Sequence, residues 1–276
     1  MSRSMSWEDA VRWCMAEPEM AALARDSYFD DPVESAQRYR GSAEFAAVRA
    51  MLPSPPGRAL DLGAGNGILA HALAAEGWDV TAVEPDSSDL VGAGAIRSLA
   101  ARTGMPMTVI EAFGEAIPLG SAGYDLVVAR QVLHHAADLP GFCLEMSRLA
   151  HAGATVLTLR DHVISGPSQL QPFLDRHPLH RLYQGENAFT LDAYRAALRG
   201  AGLAVLREMR SYQSVVNYDP TSPAELLDRL AERAGPLRHP LRAALGRMPF
   251  EVIATILTAL DRRPGRPVSF LCRKDS

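Results

Sequence analysis

The stretch Leu60-Asp61-Leu62-Gly63-Ala64-Gly65-Asn66-Gly67 constrains this chain more than any other. A short apolar run enters a loop with glycine at every second position, and a helix-forming run, Ile68 to Glu76, leaves it. Glycine has no Cβ, so a strand-to-helix turn of this kind brings bare backbone close to a ligand. The next strand-like run, Trp78 to Val83, ends at Glu84, 19 residues past Gly65. An acidic residue at about that distance accepts hydrogen bonds from ribose hydroxyls. The pairing predicts a nucleoside-binding α/β fold.

The loop also selects among nucleosides. Its spacing is G-x-G-x-G rather than the G-x-G-x-x-G of pyrophosphate binders. Asp61, just before the turn, places a negative charge where a dinucleotide would bring its pyrophosphate, and at that range the two repel. A ligand carrying an ammonium or sulfonium group is favoured instead. Gly63 and Gly65 as plain turn glycines would explain the bend, but not Asp61 and Glu84 in register with it.

The surrounding texture alternates strand and helix. Strands are expected at 59–62, 78–83, 107–110, 124–129 and 155–159, and helices at 68–76, 89–102 and 139–149, the rhythm of a doubly wound sheet. Upstream, residues 7–51 carry helix-like apolar spacing, broken at Asp30-Asp31-Pro32 and stopped by Pro53-Ser54-Pro55-Pro56-Gly57. Residues 162–189 read as a long polar-aromatic loop. Thr190 is placed to cap a helix reaching Arg199, a further strand falls within 203–216, and 223–260 is mostly helical with a break at Gly235-Pro236. A last strand is expected at 267–272. This divides the chain into a helical lid or cap (1–52), a core (53–220 with 264–276) and a helical insertion (221–263).

Leu60 to Gly67 resembles the first motif of class I S-adenosylmethionine (SAM)-dependent methyltransferases, and Glu84 their ribose-binding acid. Gly114-Glu115-Ala116-Ile117-Pro118-Leu119, Tyr124-Asp125-Leu126-Val127-Val128 and Val132-Leu133-His134-His135 are similar to the later motifs of that superfamily. The resemblance covers residues 58–160. It implies a Rossmann-like, seven-stranded, mostly parallel sheet in the order 3-2-1-4-5-7-6, with the final strand antiparallel. It also implies SAM as cofactor, S-adenosylhomocysteine as product and a small-molecule acceptor methylated on O, N or C.

By the same resemblance, Asp61, Gly63, Ala64 and Gly65 hold the methionine part, Glu84 the ribose, and Pro85, Phe113 and Gly114 flank the adenine. Glu115 and Arg130 complete the cofactor set. Phe113 stands where the superfamily often has Asp, so stacking or Glu115 would replace the usual polar contact.

Ligands of open α/β sheets lie beyond the carboxyl ends of the strands. His134 follows the fourth strand there and His162 the fifth, and imidazole, with a pKa near 6.5, suits removal of an acceptor proton. Either could instead serve packing alone. Asp161, His177, His180, Tyr183, Glu186 and Asn187 are the candidates for the acceptor pocket, and Tyr28, Tyr39 and Arg40 could reach the cofactor from upstream. His177 and His180, three apart, form a possible metal pair that Asp161 or Glu186 could complete, but Pro178 lies between them and the chain has no dense run of ligands, so no metal is expected.

Composition narrows the alternatives. With 28 Lys and Arg against 32 Asp and Glu, the net charge is −4, and no basic stripe suits a nucleic acid. No apolar run approaches the ~20 residues of a membrane span, and the first residues lack a signal core. Cys14, Cys143 and Cys272 form neither a disulfide framework nor a zinc pattern. A cytoplasmic enzyme is expected. The end helices suit a lid or a homodimer interface equally, and a SAM-binding protein of the same fold without methyl transfer remains the alternative.

Overall fold

The structure is a computed structural model and describes residues 5–275. Its strands are β1 (Arg58–Leu62), β2 (Asp79–Val83), β3 (Thr108–Ile110), β4 (Tyr124–Arg130), β5 (Ala150–Ile164), β6 (Phe189–Thr190), β7 (Leu203–Arg210) and β8 (Arg266–Lys274). They join in one sheet of order β3-β2-β1-β4-β5-β8-β7, with β6 beside the end of β5. β1 through β5 pair in parallel, and β8 runs antiparallel between β5 and β7. With the two-residue β6 set aside, this is the order 3-2-1-4-5-7-6, and β8 is its antiparallel member.

The central strands are apolar on both faces because helices cover both. Leu60, Leu62, Val127 and Ala129 face one core, shared with helices Leu139–Leu149 and Leu191–Gly200. Ala59, Leu126 and Val128 face the other, shared with helices Pro32–Arg40, Ala43–Arg49, Ile68–Ala75 and Ala93–Thr103. Tyr39, Phe45 and Val48 are buried in that second core. The helices of 32–49 are therefore part of a packed layer, whereas Trp7–Ala16 and Ala21–Asp26 sit on a small separate cluster around Val11, Phe29 and Leu179.

Local chemistry explains most boundaries. Asp31 caps the helix that begins at Pro32, accepting from the Val33 and Glu34 N–H groups at 3.0 and 3.2 Å. Thr190 caps helix Leu191–Gly200 as expected, accepting from Ala193 N–H at 3.2 Å.

Residues 162–189 are not the expected loop. β5 continues to Ile164, and helices Leu170–Arg176 and His180–Tyr183 follow. Pro172 lies in the first turn of its helix, where N–H groups have no partner within the helix, so it marks no break. Leu170, Phe173 and Leu174 pack with Ile164 and Ala188 and hold that helix in place. The 223–260 region has a second break, at Met248-Pro249, besides the expected one: its helices are Pro223–Glu232, Arg238–Leu245 and Phe250–Leu260. All three cysteines are buried and unpaired. No helix of the described residues is long and apolar enough to cross a membrane.

Candidate active site

A cavity of about 1010 Å³ opens beyond the carboxyl ends of β1, β2, β4 and β5. The glycine loop forms its floor. Gly63 N–H and Ala64 N–H both donate to the Val83 carbonyl, at 2.8 and 3.1 Å, which staples the loop to the end of β2. Gly63 sits at φ +63°, and a Cβ there would lie 2.5 Å from Val132 Cγ2. Both the left-handed backbone and the close approach demand glycine.

Two carboxylates flank the loop. Glu84 accepts from Gly65 N–H at 2.8 Å and from Asp86 N–H at 3.0 Å, one bond per oxygen, leaving acceptor capacity on each. Asp61 is 1% exposed, and its Oδ2 has no hydrogen-bond partner. Burial pushes the Asp61 pKa up to about 7, against the opposing pull of the Arg130 guanidinium. Burial raises Glu84 as well.

Ala64, Pro85, Gly114 and Glu115 also line the cavity. Glu115 is tied back by accepting from Ala137 N–H at 3.1 Å. Phe113 lines it too, 71% exposed, and presents an open ring.

Arg130 belongs to a buried charge hub that the sequence did not reveal. Glu44, from helix Ala43–Arg49, binds Arg130 through both oxygens at 2.6 and 3.0 Å and Arg160 at 2.9 Å. Burial alone would raise the Glu44 pKa, but the two guanidiniums hold it below the ordinary range. Arg160 in turn donates to the Val216 and Asp219 carbonyls at 3.0 and 2.8 Å. Tyr28 and Tyr39 pack their rings against Arg130 instead of reaching the cavity, and Arg40 lies outward, 3.8 Å from Glu76.

The opposite wall is a histidine cluster. His134 Nδ1 lies 3.0 Å from Asp161 Oδ1, and its Nε2 lies 3.5 Å from Glu186 Oε2. His162 Nδ1 lies 3.1 Å from the Gly265 carbonyl, which only accepts, so Nδ1 carries the proton and Nε2 points 3.9 Å from the same Glu186 oxygen. His177 Nδ1 is 3.7 Å from Glu186 Oε1, and Tyr183 donates its hydroxyl to that oxygen at 2.7 Å. Burial alone would lower the His134 pKa, but Asp161 and Glu186 together raise it to about 9. Burial, helped by the neighbouring His134, drives His162 well below its ordinary value. Burial would raise Glu186, but the surrounding imidazoles hold it far below the usual carboxylate range.

Of the residues singled out for the acceptor, His177, Tyr183 and Glu186 line the cavity with His134 and His162, whereas Asp161, His180 and Asn187 do not. Asp161 is fully buried behind His134. The β5–β8 register shifts between Thr158 and Asp161, and Arg160 takes φ +62°, so Arg160 and His162 turn into the cavity and Asp161 turns away. The sequence offered no dense set of metal ligands. Tertiary structure makes one, since His134, His162 and Glu186 present ligand atoms within 4.8 Å of one another. The remaining wall comes from Trp7 and Phe29 and from residues 211–233, including Asn217, Asp219, Arg229 and Arg233.

A glycine loop and two carboxylates thus lie at the switch point of a Rossmann-like sheet, where proteins of this class bind their ligands. The chain belongs to the methyltransferase domain family, whose profile matches residues 36–208. It is 36% identical over 141 residues to a ubiquinone biosynthesis O-methyltransferase of Methylocella silvestris, a stretch covering 47% of this chain and 51% of that protein. The chain thus spans about half the length of that relative.

Among solved structures, geranyl diphosphate C-methyltransferase from Streptomyces coelicolor A3(2), in complex with Mg2+, geranyl-S-thiolodiphosphate and S-adenosyl-L-homocysteine, aligns with TM-score 0.59 at 15% identity, covering 95% of this chain and 84% of that one. The cyclase SpnF aligns with TM-score 0.57 at 14% identity, covering 84% and 81%. These likenesses establish the fold.

Proposed function

We propose that the protein uses SAM to methylate a small-molecule acceptor held in this cavity. The observation that carries the reading is Asp61: a buried carboxyl whose Oδ2 has no partner must either hold a proton or, once ionised, face a cation. The ammonium of the methionine part of SAM meets that need, and a pyrophosphate would not. Gly63, Ala64 and Gly65 would bring backbone against the same part, Glu84 would accept from the ribose hydroxyls, and Phe113 would stack on the adenine. Bound there, SAM supplies an electrophilic methyl group.

The chain's own task is to place and deprotonate the acceptor. Of the two candidate bases, His162 is the one kept neutral, with its Nε2 lone pair toward the cavity. His134, raised to about 9, donates rather than accepts at neutral pH. Glu186, Tyr183 and His177 would orient the acceptor's polar atoms. The helices around Trp7 and those of 211–263 would act as the lid that excludes water. The cavity volume suits a metabolite beside the cofactor, and the net charge of −4 disfavours a nucleic acid acceptor.

Calorimetry with SAM, S-adenosylhomocysteine and NAD tests the cofactor, and labelled SAM tests transfer. The expected result is binding of the first two, lost in Asp61→Ala and Glu84→Ala, with label moving to small acceptors. NAD binding alone, or no binding by folded protein, refutes the reading. SAM binding without transfer to any of a broad panel of acceptors favours the alternative of a SAM-binding protein with other chemistry.

A further inference from the structure

We propose that His134, His162 and Glu186 form a binding site for a first-row divalent transition metal, whose open coordination positions face the acceptor side of the cavity. The argument rests on where each donor's other atoms go. His134 Nδ1 is engaged by Asp161, and His162 Nδ1 by the Gly265 carbonyl. Glu186 Oε1 is engaged by the Tyr183 hydroxyl. What remains unengaged is His134 Nε2, His162 Nε2 and Glu186 Oε2, and these three converge.

Metal-ligating histidines are held in this way, with the second ring nitrogen donating to a carboxylate or carbonyl so that the first keeps its lone pair. Glu186 Oε2 has no hydrogen-bond partner although Glu186 is almost fully buried, and the neighbouring His177 Nδ1 has none either.

The spacing fits an ion. Donors about 2.0–2.2 Å from a tetrahedral centre lie roughly 3.3–3.6 Å apart. Glu186 Oε2 lies 3.5 Å from His134 Nε2 and 3.9 Å from His162 Nε2. Glu186 thus lies within a few tenths of an ångström of that spacing from both imidazoles, and all three donor atoms lie within 4.8 Å of one another. The charge fits as well, since two buried carboxylates, Asp161 and Glu186, balance a divalent ion among neutral imidazoles. Two nitrogens and one oxygen favour zinc, cobalt, manganese or ferrous iron over magnesium or calcium.

Three protein ligands leave positions open, the arrangement of catalytic rather than structural sites. Because all three donors line the cavity, the ion would hold the acceptor through a hydroxyl or carbonyl oxygen and take over from His162 the task of acidifying it. That last step rests on the methyltransferase reading; the metal site does not.

Tag-free protein is stripped with chelator, dialysed and titrated with Co2+ and Zn2+ by calorimetry and, for Co2+, visible absorption. The expected result is one equivalent bound, with a cobalt ligand-field band. Affinity should fall at least tenfold in Glu186→Gln and His162→Gln, and stay unchanged in the surface control His151→Gln. No stoichiometric binding and no band in the wild-type protein overturn the proposal and leave a protonated His134 between two carboxylates. Equal affinity in the two site variants, or binding of Mg2+ but not Co2+, overturns it too. SAM calorimetry on the same samples separates the readings, because metal binding without SAM binding defeats only the methyltransferase assignment, and SAM binding without metal defeats only this one.

Discussion

Asp61 should make cofactor affinity depend on pH in a defined window. In water its carboxyl would titrate near 3.9; burial brings it to about 7. A cationic ligand binds the ionised form, so below pH 7 a proton must leave before the cofactor can bind. Affinity therefore rises with pH up to about 7 and levels off above it. With one group at about pKa 7, the apparent Kd scales as 1 + 10^(7 − pH). Between pH 5 and pH 7 that is about a fiftyfold change, or roughly 2.3 kcal/mol at 1.36 kcal/mol per tenfold. A peptide α-amino group titrates at about 7.7–8.0, and the ammonium of a free amino acid, beside its own carboxylate, titrates higher still, so it stays protonated across this range and adds no slope of its own. Calorimetric titration with S-adenosylhomocysteine at pH 5, 6 and 7 measures the effect. Asp61→Asn, which mimics the protonated carboxyl, should bind at pH 7 about as weakly as the wild type does at pH 5. A flat profile in the wild type, or the full slope retained in Asp61→Asn, would refute the reasoning.

Three further substitutions, with one matched control, test other parts of the molecule. Glu44→Gln leaves Arg130 and Arg160 without their shared carboxylate, at a cost of about 3–5 kcal/mol. At roughly 2 °C per kcal/mol, Tm in a thermal melt should fall by about 6–10 °C, and an unchanged melt would mean the guanidiniums find equivalent partners. Gly63→Ala forces both strain and a clash with Val132, so it should lose cofactor binding and destabilise by more than the ~1–2 kcal/mol of left-handed strain alone. The matched change Gly153→Ala, at φ +80° with nothing within 4 Å of the added Cβ, should cost only that strain in denaturant unfolding. Phe113→Ala, at an exposed position, should leave the melt unchanged and weaken cofactor binding about two- to tenfold, the ~0.5–1.5 kcal/mol of an aromatic stack; equal affinity would remove Phe113 from the adenine site.

The glycine-loop half of the candidate site was legible because its signals are local. Asp61, the three glycines and Glu84 lie within two strands and one turn, and their spacing alone fixes what they face. The histidine half was legible only as candidates. His134, His162 and Glu186 meet because β4 and β5 are neighbours in the sheet and the segment before β6 folds back over their ends. The sequence supplied the residue types but not their convergence. His180 and Asn187 flank residues that do line the cavity, and polar density in a connector does not say which side chains turn inward. The shift at Thr158–Asp161 reversed the expected place of Asp161, and nothing in Arg160-Asp161-His162 announces it. Glu44 carried no signal either, since in sequence it is an ordinary acid in the first turn of a capped helix.

That hidden glutamate bears on how the two halves cooperate. Glu44 joins Arg130, at the end of β4 beside the cofactor loop, to Arg160 on β5, and Arg160 holds the carbonyls of Val216 and Asp219. The family profile ends at residue 208, and residues 211–233 then supply a wall of the cavity. The part of the chain that the family shares thus carries both the glycine loop and the histidine cluster, while the part beyond it adds a further wall of the cavity. One buried carboxylate links the two. Acceptor choice should accordingly change with substitutions in 211–233 that leave cofactor affinity intact, whereas a change at Glu44 should disturb both, because it releases the cofactor-side Arg130 and the acceptor-side segment together.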